Sequence, residues 1–221
     1  MVANKAVELE KDKANMIAEM LENAYPGTKY YLNFSNPLEL LVAAIISAQT
    51  RDETVNSITP ELFKHFKEAK DYASASEENL VRYISKASFA SMKAKHIIEA
   101  CKDIERLYMG KVPSSMEELL KLPGVGRKTA NTVLINAFGK VEGIPVDTWV
   151  IKLSYRMGLS LKKIPDEIEK DLKEKIDKKY WHNFAYVLKR HGKALCNTYP
   201  QCSKCVVSSI CPKNGTEGIR R

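Results

Sequence analysis

The sequence predicts an all-α protein. Apolar residues recur at helical spacing in nearly every long segment, whereas no segment shows the sustained alternation, bounded by hairpin turns, that is typical of strands. Helix-start signals stand directly before several of these segments, and the connections between them are short. A length of 221 residues fits one large helical domain or two small ones, and periodicity alone leaves that choice open.

The first predicted helix is a charged amphipathic stretch at 3–24, which the Pro26-Gly27 pair ends. Asn36 is a candidate N-cap with Pro37 at the first helical position, since proline lacks the N–H that would remain unpaired there. The apolar run behind this pair predicts a buried helix that continues to about Ala48.

Three more start signals follow. Asp52 is expected to cap one helix, Pro60 to start another, and Ser76 to start the helix that carries Leu80 and Ile84. The remaining predicted helices cover residues 94–108, 115–121, 127–138, 148–158, 165–178 and 181–195.

Charge is unevenly distributed along the chain. Residues 1–110 carry 14 Lys and Arg against 16 Asp and Glu, a net charge of −2, whereas residues 111–221 carry 21 against 11, a net charge of +10. A basic half favours a polyanionic partner, most simply nucleic acid, and a solvated face without a partner is the alternative. The longest apolar run, 40–48, is too short to cross a bilayer, so we expect a soluble, cytoplasmic protein that does not bind membranes.

The segment LPGVGRKTA (122–130) places a tight turn before two cations. It is not a phosphate-binding P-loop, because Arg127 separates glycine from lysine and the preceding segment is helical. The turn instead joins the helices at 115–121 and 127–138 as a helix-hairpin-helix element. Its glycines let the backbone approach a phosphate, and N–H groups of the second helix point toward that anion. We expect DNA contacts at Gly124, Gly126, Arg127 and Thr129; an ordinary joint between helices is the alternative.

Lys128 and Asp147 are the candidate catalytic residues. Lys128 lies in the first turn of the second hairpin helix, where the helix dipole, Arg127 and partial burial together would lower the pKa of its amine and make it nucleophilic. Asp147 lies in GIPVDTWV (143–150), where it or Thr148 would cap the next helix. A carboxylate facing the lysine could stabilise a cationic transition state. A lysine that only binds phosphate and an aspartate that only caps a helix are the alternatives.

Four of the five cysteines form the pattern C-x5-C-x2-C-x5-C: Cys196, Cys202, Cys205 and Cys211. Such spacing in an intracellular chain favours a metal centre over disulfides. Because zinc ribbons usually contain two C-x2-C pairs, the single pair here favours a [4Fe-4S] cluster, with zinc as the alternative. Cys101, in the middle of a helix, is expected to be a buried apolar residue.

The sequence as a whole resembles the endonuclease III family of DNA glycosylases, within the helix-hairpin-helix superfamily. The motifs that carry this resemblance follow the family's order: 32–56, MKAKHI (92–97), LPGVGRKTANTVL (122–134), VDT (146–148), HGKALC (191–196) and the cysteine loop.

The resemblance implies two helical domains that flank a DNA-binding cleft. We expect a six-helix barrel domain with the hairpin at 30–140. A discontinuous helical domain, 1–29 plus 141–221, would carry the [4Fe-4S] cluster in its loop at 196–211. The implied activity is removal of oxidised pyrimidines, such as thymine glycol, with an associated lyase activity, and the partner is double-stranded DNA with damaged bases or abasic sites, bound by a monomer.

The resemblance also assigns roles to single residues. Lys128 corresponds to the family's nucleophile and Asp147 to its catalytic aspartate, and the four loop cysteines correspond to the cluster ligands. Gln49 and Phe89 align with the residues that fill the space left by an extruded nucleotide. Without the resemblance, Gln49 would be interpreted as a buried polar helix end and Phe89 as a core residue.

Several positions depart from the family pattern. Trp149 replaces a usual histidine and Lys152 a usual arginine, whereas Arg156 is retained, and the segment 87–94 lacks the expected glycine and tyrosine. These departures concern substrate preference, so a glycosylase for thymine or uracil opposite guanine remains an alternative function. A non-catalytic DNA-binding module is a third, but it gives Asp147 and Gln49 no role.

Overall fold

The computed structural model describes residues 6–216, which form twelve α-helices and a short 3₁₀ helix, Cys202–Lys204, with no strand among them. The α-helices are α1 (Lys11–Ala24), α2 (Pro37–Ile46), α3 (Asp52–His65), α4 (Ala69–Ala73), α5 (Glu77–Ile84), α6 (Ala90–Tyr108), α7 (Met116–Leu119), α8 (Arg127–Phe138), α9 (Thr148–Arg156), α10 (Pro165–Lys175), α11 (Lys178–Trp181) and α12 (Phe184–Ala194). The predicted all-α class is confirmed. No helix in the described range is long and apolar enough to cross a membrane.

The chain forms two compact units. The continuous unit is Tyr31–Glu142 and contains α2 to α8, whereas the discontinuous unit combines the segment up to Tyr30 with the segment from Gly143 onward and contains α1 and α9 to α12.

Helix α2 is the centre of the continuous unit. Leu38 and every residue from Leu40 to Ile46 are buried, because α2 packs against α3, α6 and α8. The predicted N-cap is confirmed: the Asn36 side chain accepts a hydrogen bond of 3.0 Å from the Glu39 N–H, and Pro37 is the first helical residue. Burial on all sides fixes the position of the turn that follows α2.

In the discontinuous unit α9 packs against α12, and α1 packs against α10 and α12. The segment before α1 is tied to the C-terminal loop. Leu9 N–H donates to the Gly158 carbonyl at 2.7 Å, and the Asn214 side chain bonds both the N–H and the carbonyl of Val7. Gly158 has a φ of +68°, and a Cβ there would lie 2.6 Å from the Val7 oxygen, so only glycine permits this contact.

Some predicted helix boundaries were wrong. Helix α1 begins at Lys11 and residues 6–10 are not helical; the rest of the predicted start lies outside the described residues. The N-cap of α3 is Arg51, whereas Asp52, the expected cap, is the first helical residue. Helix α3 also continues through Pro60, where a new helix was expected. Pro60 is on the exposed face, while Thr59 and Leu62 beside it are buried, so burial of one continuous face outweighs the lost hydrogen bond.

Candidate functional site

The two hairpin glycines have different roles. Gly124 has a φ of +77°, and a Cβ there would lie 2.9 Å from the His96 Cβ, so both the backbone and the packing require glycine. Gly126 has an ordinary φ of −96°, is exposed, and has no atom within 4 Å of a built Cβ. Neither the fold nor the backbone therefore explains Gly126, which leaves an open surface in front of α8.

Helix α8 begins at that open surface. Gly126 is its N-cap and provides no side chain to cap the first turn. Arg127 and Lys128, both half-buried, lie in this turn, as the sequence predicts. Thr129 is only 8% exposed, so its hydroxyl is not presented to a ligand and any contact from this residue would come from its backbone. Cationic side chains and backbone N–H groups at a helix start form a surface suited to an anion.

Gln49 and Phe89 both have left-handed backbone, with φ of 54° and 57°. This conformation costs a residue with a side chain about 1–2 kcal/mol. Both side chains are nevertheless exposed, and Phe89 has 59% of its surface accessible. The alternatives that placed Gln49 in a buried helix end and Phe89 in the core were therefore wrong. Strained turns that present an exposed amide and an exposed aromatic ring are typical of binding sites.

Lys93 connects these two turns, and the sequence analysis gave it no role. Only 2% of the residue is exposed. Its Nζ donates to the carbonyls of Ile46 and Ala48 at 2.6 Å each and to Thr50 Oγ1 at 2.8 Å, and the same Oγ1 accepts from the Ser88 N–H at 3.1 Å. Burial lowers the pKa of Lys93 to about 8.

A signal for Lys93 was present in the sequence. It lies four residues before Ile97 and eleven before Ile104, both fully buried, so it occupies the apolar face of α6. A lysine in phase with a core stripe indicates a buried amine that requires partners.

Asp147 is the N-cap of α9. Its Oδ1 accepts hydrogen bonds of 2.9 Å from the N–H groups of both Trp149 and Val150, which fixes the carboxylate and leaves Oδ2 for another partner. The predicted capping role is confirmed. Lys128 belongs to the continuous unit and Asp147 to the discontinuous unit.

Trp149, at the position where the family usually has histidine, packs against α12. A Cβ on Gly192 would lie 2.3 Å from the indole Cε3, so glycine is what admits the ring. Lys152 Nζ lies 4.2 Å from the centroid of the same ring. Burial is the main cause that lowers the pKa of Lys152. Trp149 and Lys152, which both differ from the family pattern, therefore contact each other.

The four loop cysteines line a common pocket after α12, together with Arg156 and His191. Arg156 is buried and donates to the carbonyls of Cys196 and Asn197 at 2.9 and 2.6 Å, with Cys196 Sγ at 3.6 Å. These bonds hold the start of the loop against α9.

His191, in α12, also lines the pocket. It is fully buried, which lowers its pKa to about 4, so the imidazole is neutral. Nδ1 lies 2.9 Å from the Tyr25 hydroxyl and Nε2 lies 3.5 Å from Cys205 Sγ. If Tyr25 donates to Nδ1, the ring proton is on Nε2 and points at the sulfur.

The four cysteines of this pocket are candidate ligands for a metal centre. Both zinc and an iron–sulfur cluster can be held by four cysteine thiolates. Burial raises the pKa of the Cys205 thiol, and that of Cys211 to about 11, so both are protonated at neutral pH and metal binding would release their protons.

Known proteins resemble this chain over most of its length. Residues 42–178 match the family model described as HhH-GPD superfamily base excision DNA repair protein. Endonuclease III of Synechocystis sp. is 42% identical over 204 residues, which cover 92% of this chain and 93% of the relative. Endonuclease III of Bacillus subtilis is 39% identical over 198 residues, which cover 87% of this chain and 89% of the relative.

A solved structure extends the comparison to the fold. It is a trapped endonuclease III–DNA covalent intermediate, which matches with a TM-score of 0.88 at 35% identity and covers 93% of this chain and 97% of that one. The sequence matches and this structure agree on one assignment. The chain belongs to the HhH-GPD superfamily of base excision DNA repair proteins and, within it, to the endonuclease III family.

Proposed function

We propose that this protein removes oxidised pyrimidines, such as thymine glycol, from double-stranded DNA and then cuts the strand through a Schiff base on Lys128. As a member of the endonuclease III family it is a base excision repair DNA glycosylase and lyase. The proposal adds the substrate class and the residues that act. The observation that carries it is a half-buried lysine in the first turn of α8, directly behind the open surface at Gly126.

The chemistry starts at C1′ of the extruded nucleotide. The Lys128 amine forms a bond to C1′, and the glycosidic bond breaks so that its electron pair leaves with the base, which takes up a proton. The sugar ring opens to a protonated Schiff base. This cation acidifies C2′, and loss of a C2′ proton expels the 3′ phosphate by β-elimination. The matched structure of a covalent endonuclease III–DNA intermediate supports a covalent route.

Asp147 would stabilise the positive charge that develops on the sugar. Two backbone hydrogen bonds at Oδ1 hold the carboxylate still, which reduces the reorganisation needed when charge appears. The residue can also take up the protons released in the two steps.

DNA binding would use the hairpin and the two strained turns. Gly126, Arg127 and the first N–H groups of α8 would hold a backbone phosphate, which carries no sequence information. Gln49 and Phe89 would enter the space that the extruded nucleotide leaves, because both are exposed and held in turns of the same unit.

Cys196, Cys202, Cys205 and Cys211 would hold a [4Fe-4S] cluster. Bound there, the cluster would fix the loop in place and would not take part in bond cleavage. Arg156 and the Nε2–H of His191 would stabilise the negative charge of the ligated sulfurs.

The proposal is tested with single-lesion duplexes of the same sequence. One contains thymine glycol opposite adenine, and a second contains thymine opposite guanine. We expect cleavage of the first and little of the second; the reverse preference would replace the proposal with a mismatch glycosylase. Asp147→Asn should lose cleavage while it still binds DNA, and no cleavage of any lesion by the wild type would leave only a DNA-binding module.

A further inference from the structure

The amine of Lys93 connects two segments that are far apart in the sequence. Its hydrogen-bond partners Ile46, Ala48 and Thr50 lie 43 to 47 residues before it and surround Gln49. Lys93 itself is in the first turn of α6, which begins directly after Phe89. The Lys93 N–H also donates to the Phe89 carbonyl at 3.1 Å, so backbone and side chain of this residue contact the two turns.

Packing alone does not explain a lysine at this position. A buried ammonium group loses its hydration, and among residues 6–216 no carboxylate forms an ion pair with Lys93. Its partners are carbonyls at the C-terminal end of α2, where the helix dipole favours a cation. A methionine would fill similar space without an ammonium, but it would leave those carbonyls unpaired.

Thr50 extends the connection. Its Oγ1 accepts from both Lys93 Nζ and the Ser88 N–H, so one hydroxyl links the turn after α2 to the turn before α6. The two left-handed residues, Gln49 and Phe89, therefore each stand next to a residue of this network. Separate anchoring of the two turns would require no shared acceptor.

We infer that Lys93 is a positioning residue: it fixes the Gln49 turn and the Phe89 turn relative to each other, so that both side chains enter the same gap in DNA. This inference rests on the proposed function of those two side chains. Lys93 takes no part in bond cleavage, which is the role of Lys128.

The test compares duplex DNA containing an abasic site with the same abasic strand alone. Only the duplex has a stack from which a nucleotide must be held out, whereas the Lys128 chemistry is common to both. Lys93→Met should reduce duplex cleavage by roughly 10- to 100-fold, the effect of losing one stacked contact, and should change single-strand cleavage by less than about twofold. Lys102→Met, which removes an exposed charge from the same helix, should leave both unchanged.

Two further variants control for misfolding of Lys93→Met and for an effect of Lys93 that is independent of Phe89. Thr50→Val removes only the bridging hydroxyl, so it should lower the duplex-to-single-strand ratio in the same direction even if Lys93→Met does not fold. In a Phe89→Ala background, Lys93→Met should cause a smaller fold loss than in the wild type, because part of its effect is exerted through the Phe89 turn.

An unchanged duplex-to-single-strand ratio in an active Lys93→Met or Thr50→Val protein would overturn the inference. It would also be overturned if the fold losses of Lys93→Met and Phe89→Ala multiplied in full in the double variant. A wild type that cleaves neither substrate would instead overturn the proposed function, and this inference with it.

Discussion

Gln49 and Phe89 combine a strained backbone with an exposed side chain. Each adopts a left-handed backbone that disfavours side chains, and each exposes its side chain, so core packing requires neither residue. Among the described residues two other non-glycine positions, Met109 and Lys213, have a positive φ. Met109 lies at the opposite end of α6 from Phe89, which provides a matched comparison.

Phe89→Gly is predicted to separate stability from function. Glycine relieves the left-handed strain but raises the entropy of the unfolded chain, so the free energy of unfolding should change by less than about 1 kcal/mol. Cleavage of a lesion in duplex DNA should fall at least about tenfold, because the stacked ring is lost. Met109→Gly should change stability similarly and leave cleavage intact. Equal cleavage by the two variants would contradict a role for Phe89 in DNA.

The hydrogen-bond partners of Lys93 could not be predicted from the sequence. Its helical phase indicates burial, but its partners lie more than 40 residues away and include main-chain carbonyls that carry no sequence signal. The same holds for the hydrogen bond from Arg156 to the Cys196 carbonyl. The partner of such a side chain cannot be predicted from residue types, because every residue has a main-chain carbonyl.

At the scale of elements, local capping rules predicted helix starts well. The predicted caps Asn36, Ser76 and Asp147 all accept a hydrogen bond from the backbone two or three residues later, because a cap depends on neighbours in sequence. Helix α3 was divided incorrectly because the proline rule is local, whereas burial of Thr59 and Leu62 is tertiary. Sequence therefore predicts a helix start where a capping side chain marks it, and it fails where tertiary packing decides whether a helix continues.

The hairpin glycines give an element-scale prediction. Gly124→Ala should lower the free energy of unfolding by more than about 1–2 kcal/mol, since the positive φ alone costs that much and the added Cβ meets His96 at 2.9 Å. Gly126→Ala should change it by less than about 0.5 kcal/mol, because the site is open and alanine is only slightly worse than glycine at an N-cap.

Gly126→Ala, which should hardly change stability, should change the affinity for DNA. Gly126→Ala should weaken binding roughly tenfold, the value of one hydrogen bond to a charged group, as measured by anisotropy with a labelled duplex. If Gly126→Ala binds as tightly as the wild type, the surface before α8 does not hold a phosphate.

On the scale of the whole molecule, the candidate functional residues are divided between the two compact units. Gln49, Phe89 and Lys128 belong to the continuous unit, whereas Asp147 and the cysteine loop belong to the discontinuous unit. The chain passes from one unit to the other between Lys128 and Asp147, so the spacing of the two candidate catalytic residues includes a unit boundary. Motifs identified these residues, but the units themselves depend on contacts across the whole sequence.

The cysteine loop provides a whole-molecule prediction. The purified protein should be brown, with broad visible absorbance and about four irons per chain. Cys202→Ser should lose iron and lower the thermal unfolding midpoint, because the loop that packs on Arg156 is released. Cys101→Ser is the matched control: this buried cysteine lies outside the loop, so the iron content should be unchanged. One zinc per chain in a colourless protein would contradict a [4Fe-4S] cluster.

The central claim is that the Lys128 amine attacks the sugar, and borohydride trapping tests it most directly. Reduction during reaction with a thymine-glycol duplex should yield a covalent protein–DNA adduct that peptide mapping assigns to Lys128. The adduct should be absent in Lys128→Gln and undiminished in Lys121→Gln, which removes an exposed, ion-paired lysine from the preceding segment of the hairpin. An adduct of normal yield in Lys128→Gln, or one mapped to another amine, would contradict the account.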